Sequence, residues 1–169
     1  MAREGLFKDV DVALAWHPAD RTRADMRGGQ ALADMTVDFK GRTAHAAFDP
    51  WNGRSAVDAL ELFTHGVNMM REHVGEKTRI HYAITSTNPA PNVVPDRAEV
   101  YYFVRDPDPD EMRAVWERVS SAAEGAALGT GTRVEHELLA GYYPYLPNIR
   151  LSEVSYAHLK AIGGPRYSK

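Results

Sequence analysis

Residues 79–105, RIHYAITSTNPAPNVVPDRAEVYYFVR, decide the fold. Within them, residues 79–87 set Ile80, Tyr82 and Ile84 against His81, Ala83 and Thr85, the period-two pattern of a strand with two unlike faces. Residues 98–105 (AEVYYFVR) are a second strand, rich in β-branched and aromatic residues, with Tyr101-Tyr102-Phe103 read as sheet core. Between the two, Pro89, Pro91 and Pro95 exclude a regular element, because each fixes φ and removes an amide donor. Two consecutive strands joined by a loop, with no helix between them, form the middle of a split pattern.

Working outward, residues 55–74 place Val57, Leu60, Phe63, Val67, Met70 and Val74 on one helical face. Ser55, with Asp58 three residues on, caps that helix, and Gly75 ends it. Ahead of it, Leu32, Met35, Val37 and Phe39 give a strand that closes at Gly41. On the other side, Asp106-Pro107-Asp108-Pro109 breaks the chain and introduces a helix over residues 110–128. Its inner stripe is Met112, Val115, Trp116, Val119, Ala122 and Ala123, and a fourth strand follows over residues 133–139. The order from Leu32 to Leu139 is strand, helix, strand, strand, helix, strand. That pattern predicts an α+β, ferredoxin-like βαββαβ unit: a four-stranded antiparallel sheet with both helices on one face.

The ends read differently. Residues 10–16 (VDVALAW) are a short apolar run stopped by His17-Pro18 and are expected to be a buried strand, followed by a charged connector over residues 19–29. An aromatic, proline-bearing stretch over residues 142–148 leads to a last helix at 151–162, stopped by Gly163-Gly164-Pro165. One strand and one helix bury too little surface to stand alone. The expected organisation is therefore a segment of another domain at 1–31, a central domain at 32–145 and a second segment at 146–169.

Composition narrows the function classes. A net charge of -3 gives no electrostatic case for nucleic acid or an anionic membrane surface. No apolar run approaches the roughly 20 residues that cross a bilayer, and residues 1–7 lack the apolar centre of a secretory leader. With no cysteine, disulfides and thiolate chemistry are excluded, a cytoplasmic location is expected, and any metal must be held by His and carboxylates.

Three places carry polar groups that turns alone do not require. His17 ends a predicted strand, where an imidazole either ligates a metal or bonds a carbonyl. His45 sits in Gly-Arg-Thr-Ala-His-Ala-Ala, whose small side chains let another molecule approach; it is either a donor to a developing oxyanion or a solvent-facing loop residue. Asn92 and Arg105, expected near each other across a turn, offer an amide and a two-pronged guanidinium to a carboxylate, or serve as a turn residue and a surface ion-pair partner. His65 and His73 are eight residues apart, too far for a helical metal pair, and Glu111, Glu117 and Glu124 read as a solvated face.

Taken together, Trp16-His17-Pro18, residues 41–47, Gly53-Arg54-Ser55-Ala56, Asn92-Val93-Val94-Pro95, residues 99–105 and Glu124-Gly125-Ala126-Ala127 resemble the aminoacylase/carboxypeptidase family of metal-dependent amidohydrolases. The resemblance covers essentially the whole chain, with Ala2 to Phe7 and Asp9-Val10-Asp11 also in register. It implies that the central unit is the family's dimerisation lid, flanked by short catalytic-domain pieces. It implies that His17 is a metal ligand, that His45 reaches into a partner subunit's site to support the oxyanion, and that Asn92 and Arg105 hold the substrate's carboxylate. The implied reaction is cleavage of an amide bond in a small acidic N-acyl amino acid such as p-aminobenzoyl-glutamate, with a divalent metal, zinc or manganese, in the full-length family. The remaining metal ligands and the general base of the family have no counterpart here. The chain is therefore expected not to hold metal stably, to be inactive alone and to form a homodimer through the lid. The rival expectations are a binding or regulatory module that pairs with a complete family member, and an independent metallohydrolase.

Overall fold

The computed structural model describes residues 3–24, 27–88 and 90–165; Ala2, Pro89 and residues 25–26 of the expected connector lie outside them. The elements are β1 (Ala31–Lys40), α1 (Ala56–Met70), β2 (Arg79–Thr87), β3 (Arg97–Asp106), α2 (Pro109–Thr130), β4 (Arg133–Tyr142) and α3 (Ile149–Ile162), with short 3-10 turns at Pro50–Asn52 and Arg71–His73. The chain divides into two compact units, residues 27–147 and the two segments 1–26 and 148–169.

In the larger unit the strands lie in the order β2-β3-β1-β4, every pair antiparallel. This is the split βαββαβ arrangement that the sequence pattern predicts. Alternation along β1 sends Ala33, Met35, Val37 and Phe39 to the helix side, where they are buried. The same rule buries Ala98, Val100, Tyr102 and Val104 of β3. α1 meets this layer with Leu60, Phe63 and Val67, and α2 with Val115, Val119 and Ala123. The aromatic centre is a chain of tilted rings, with centroids 5.7 Å apart for Phe39 and Phe63 and 5.0 Å for Phe63 and Tyr102. Of the run expected to be core, only Tyr102 is buried. Tyr101 and Phe103 point to the opposite, helix-free face, as period two requires.

Both long helices start and stop for local reasons. Ser55 Oγ accepts the Asp58 N–H at 3.0 Å, and Asp108 Oδ1 accepts the Asp110 N–H at 2.9 Å ahead of Pro109. α2 ends at Gly131, whose φ of 67° is the left-handed conformation open to glycine, while Thr132 N–H reaches back to Ala127 O at 3.0 Å.

Helix cover is uneven across the sheet. α1 packs on β1 and β3, and α2 on β1, β3 and β4, so the row Ile80, Tyr82, Ile84 of the edge strand β2 emerges from cover. Ile80 is buried, Tyr82 is 38% exposed and Ile84 is 54% exposed.

In the smaller unit the expected strand over residues 10–16 does not form. Leu14 is 77% and Trp16 87% exposed. The reason is physical: a strand needs a neighbour to pair its backbone groups, and the described residues of this unit contain no second strand, only α3. Among the described residues, no helix is long and apolar enough to cross a membrane.

Candidate functional site

The segment after β1 turns back beneath residues 92–96, and backbone hydrogen bonds stitch the two together. Gly41 N–H donates to Asp96 O at 2.8 Å, Val94 N–H to Ala44 O at 2.9 Å, Ala46 N–H to Asn92 O at 3.0 Å, and Ala56 N–H to Pro95 O at 2.8 Å. His45 and Val93 face each other as an isolated antiparallel bridge. Two glycines permit the crossing. A Cβ on Gly41 would stand 1.9 Å from Arg54 O, and one on Gly53 would stand 2.8 Å from the Val94 side chain. Small residues in the 41–47 stretch thus serve close backbone approach as well as access to His45.

His45 itself is held on several sides. Its N–H donates to Asp49 Oδ1 at 3.0 Å, and its carbonyl accepts the Asp49 N–H at 3.1 Å. Asn52 Nδ2 holds the other Asp49 oxygen at 3.4 Å. The Ala47 N–H points at His45 Nδ1 at 3.2 Å. A backbone N–H can only donate, so Nδ1 is the acceptor and the neutral ring carries its proton on Nε2. The Phe48 ring packs against the imidazole with centroids 4.4 Å apart. The result is an exposed imidazole in fixed orientation that offers one N–H donor. In the sequence Asp49 is legible only as a turn residue. The signal for its second task is its distance of four residues from His45, within reach of an Asx-type turn.

Asn92 is exposed and joined to this loop through its carbonyl. Arg105 is not. It lies at the far end of β3, opposite Leu32 of β1 and Arg79 of β2. From Arg97 to Arg105 are eight steps along a strand, about 27 Å at ~3.4 Å per residue, and Asn92 precedes Arg97. The expectation that Asn92 and Arg105 converge across a turn within one chain is therefore corrected. They occupy opposite ends of the sheet, because β3 runs straight between them.

The surroundings of Arg105 are cationic. Arg79 stands directly across, with its own Nη1 turned to Glu76 O at 2.6 Å and Thr78 O at 2.7 Å. Two like charges opposite one another are unfavourable unless an anion joins them. The Arg105 guanidinium lies 4.8 Å from the Phe103 ring centroid, and its Nε is buried without a hydrogen-bond partner among the described residues. At the other end of the face, by contrast, Arg97 bonds Asp38 at 3.2 Å and Glu99 at 3.3 Å, and these carboxylates raise its pKa further. Tyr101 donates to Asp34, which raises the Tyr101 pKa.

His17 is exposed in the smaller unit, and its Nδ1 donates to Pro18 O at 2.8 Å. That is the carbonyl bond expected as the plainer alternative, although it also leaves Nε2 unprotonated, as in metal-bound histidines. Among the described residues, no three His, Asp or Glu side chains converge on a point where a metal ion would sit. A catalytic centre needs about three protein ligands, so these residues do not fit one.

The profile of a family described as peptidase dimerisation domain matches residues 28–130. The chain is 44% identical, over 99% of its length, to one of the two subunits of p-aminobenzoyl-glutamate hydrolase from Escherichia coli, and covers 35% of that protein. It is 31% identical to mouse Xaa-Arg dipeptidase, over 94% of this chain and 37% of the relative. Among solved structures it shares the fold of an aminobenzoyl-glutamate utilization protein from Klebsiella pneumoniae, with a TM-score of 0.67, 24% identity, and coverage of 74% of this chain and 32% of the other. The chain thus spans about a third of the length of the relatives it matches.

Proposed function

Because the chain belongs to the peptidase dimerisation domain family, we propose that it is the dimerising, substrate-recognising lid of an amidohydrolase. The substrate is a small acidic N-acyl amino acid such as p-aminobenzoyl-glutamate, the compound in the name of the Escherichia coli relative. Bond cleavage itself requires a water-activating centre that the described residues do not form.

The observation that carries this reading is the distance between the two polar ends of β3. His45 and Asn92 share one end and Arg105 the other. A substrate only a few residues in size does not bridge about 27 Å of strand. The three groups meet one substrate when His45 and Asn92 come from one copy and Arg105 from a second. Arg105, with an unpartnered Nε and a facing Arg79, then binds the carboxylate. Asn92 adds an amide donor, and the fixed Nε2–H of His45 meets the amide oxygen as negative charge develops on it.

The dimer forms through the β2 edge. Its backbone is unpaired along one side in the chain, and its apolar row ends in the exposed Tyr82 and Ile84. Beside it, α1 exposes Leu62 and Met69. Two copies related by a two-fold axis cover both features and extend the sheet. Light scattering and calorimetric titration with N-acetylglutamate test the reading. A dimer whose binding is lost in Arg105→Ala and in His45→Ala is expected; a monomer at high concentration contradicts it. A monomer that pairs only with a longer family member favours the regulatory-module alternative.

A further inference from the structure

The loop that presents His45 also carries two aromatic side chains with no task so far. Phe48 is 76% and Trp51 72% exposed. The backbone beneath them is nonetheless fixed: Asn52 N–H donates to Asp49 O at 3.0 Å, Gly53 N–H to Pro50 O at 2.9 Å, and Arg54 Nη1 to Trp51 O at 3.2 Å. Covering a ring of roughly 150–250 Å² is strongly favourable, so two uncovered rings on one well-bonded turn call for an occupant. Phe48 is in ring contact with the imidazole, the planes tilted by 40°.

We propose that Phe48, assisted by Trp51 three residues on, contacts an aromatic acyl group and so selects aryl amides over alkyl ones. The proposal rests on the reading of His45 as the donor to the substrate's amide oxygen. In an aroyl amide, covalent geometry puts the ring centroid about 3.6 Å from the carbonyl oxygen. The hydrogen bond from Nε2 to that oxygen adds about 2.9 Å. The aryl ring therefore lies within about 6.5 Å of the imidazole nitrogen, and Phe48 already packs on that imidazole. Ring pairs interact at centroid separations of roughly 4.5–7 Å, so the acyl ring and Phe48 are within reach of one another. An acetyl group at the same carbonyl offers Phe48 no ring.

The test is a nuclear magnetic resonance titration of the full 169-residue chain. One arm uses p-aminobenzoyl-glutamate and the other N-acetylglutamate, which keeps the acidic half and lacks the ring, both at millimolar concentration. Saturable shifts at Phe48 and at the Trp51 indole N–H are expected with the aryl compound alone. Phe48→Ala and Phe48→Leu weaken that binding about five-fold, the size of one aromatic pair, and leave N-acetylglutamate affinity unchanged. Equal affinity of both variants and wild type for the aryl compound overturns the proposal. So does a response at His45 and Asn92 to both compounds with none at Phe48 or Trp51, which leaves the reading of His45 intact. Shifts at Phe48 and Trp51 with none at His45 or Asn92 support an aryl contact and overturn the role of His45. Silence at all four residues overturns both.

Discussion

Replacing Ile84 with lysine perturbs the proposed dimer seam and little else. Ile84 lies on the edge strand opposite Val100, with 54% of its surface exposed. Burying an isoleucine side chain completely is worth about 1.5–3 kcal/mol. Roughly half of that remains to be gained at a seam, about 1 kcal/mol per copy, and two-fold symmetry doubles it to about 2 kcal/mol. The lysine adds an ammonium group on each side that must leave water, for about 1 kcal/mol more in total. Dimer affinity should fall by about 3 kcal/mol, on the order of 150-fold. Within a single copy the side chain is already largely in water, so the fold should change in stability by no more than about 0.5 kcal/mol. Sedimentation velocity over a concentration series reads the first quantity and a denaturant melt the second. An unchanged association constant in a variant that is still folded would falsify the β2 seam.

Two further substitutions probe the frame around the site. Tyr102 is fully buried and its hydroxyl has no partner among the described residues, so Tyr102→Phe is expected to stabilise the lid by about 1 kcal/mol in a denaturant melt. Burial also raises the phenol's pKa. The folded state resists ionising it while the unfolded state ionises near pH 10, so that part of the stability is present below about pH 10 and is lost as the pH rises through the raised folded value. Tyr102→Phe should flatten this alkaline decline, and an unchanged pH profile would assign it to other groups. Gly41→Ala forces a Cβ onto Arg54 O, with an expected cost of about 3 kcal/mol. It should also release the His45–Val93 bridge, seen as faster amide exchange at Ala46 and Val94. Retained protection there would show that the crossing tolerates a side chain.

Much of the fold was legible because its signals are local. Alternation in β2, the one-sided stripe of α1, and the caps at Ser55 and Gly131 each need only a few neighbouring residues. The segment over residues 10–16 shows where local signals fail: its apolar pattern suits a strand, but strand formation depends on a partner that the described residues of its unit do not supply. The candidate site was legible in its parts and not in their arrangement. Residue type and loop context marked His45, Asn92 and Arg105. Nothing in their spacing of 13 between Asn92 and Arg105 reveals that a straight strand separates the last two. The union of His45 with Asn92 is likewise a long-range pairing of two loops, set by the backbone bonds from Ala46 and Val94. Asp49 was hidden because a capping aspartate and a turn aspartate look alike in sequence.

A mixing measurement bears most directly on a substrate site shared between two copies. His45→Ala and Arg105→Ala chains are each titrated with N-acetylglutamate, then unfolded together in equal amounts, refolded and titrated again. Random pairing makes half of the dimers mixed, and each mixed dimer has one site with both groups intact, so binding should return to about a quarter of the wild-type stoichiometry. If the mixture binds no more than either variant alone, while wild type binds normally, His45 and Arg105 do not meet across the dimer.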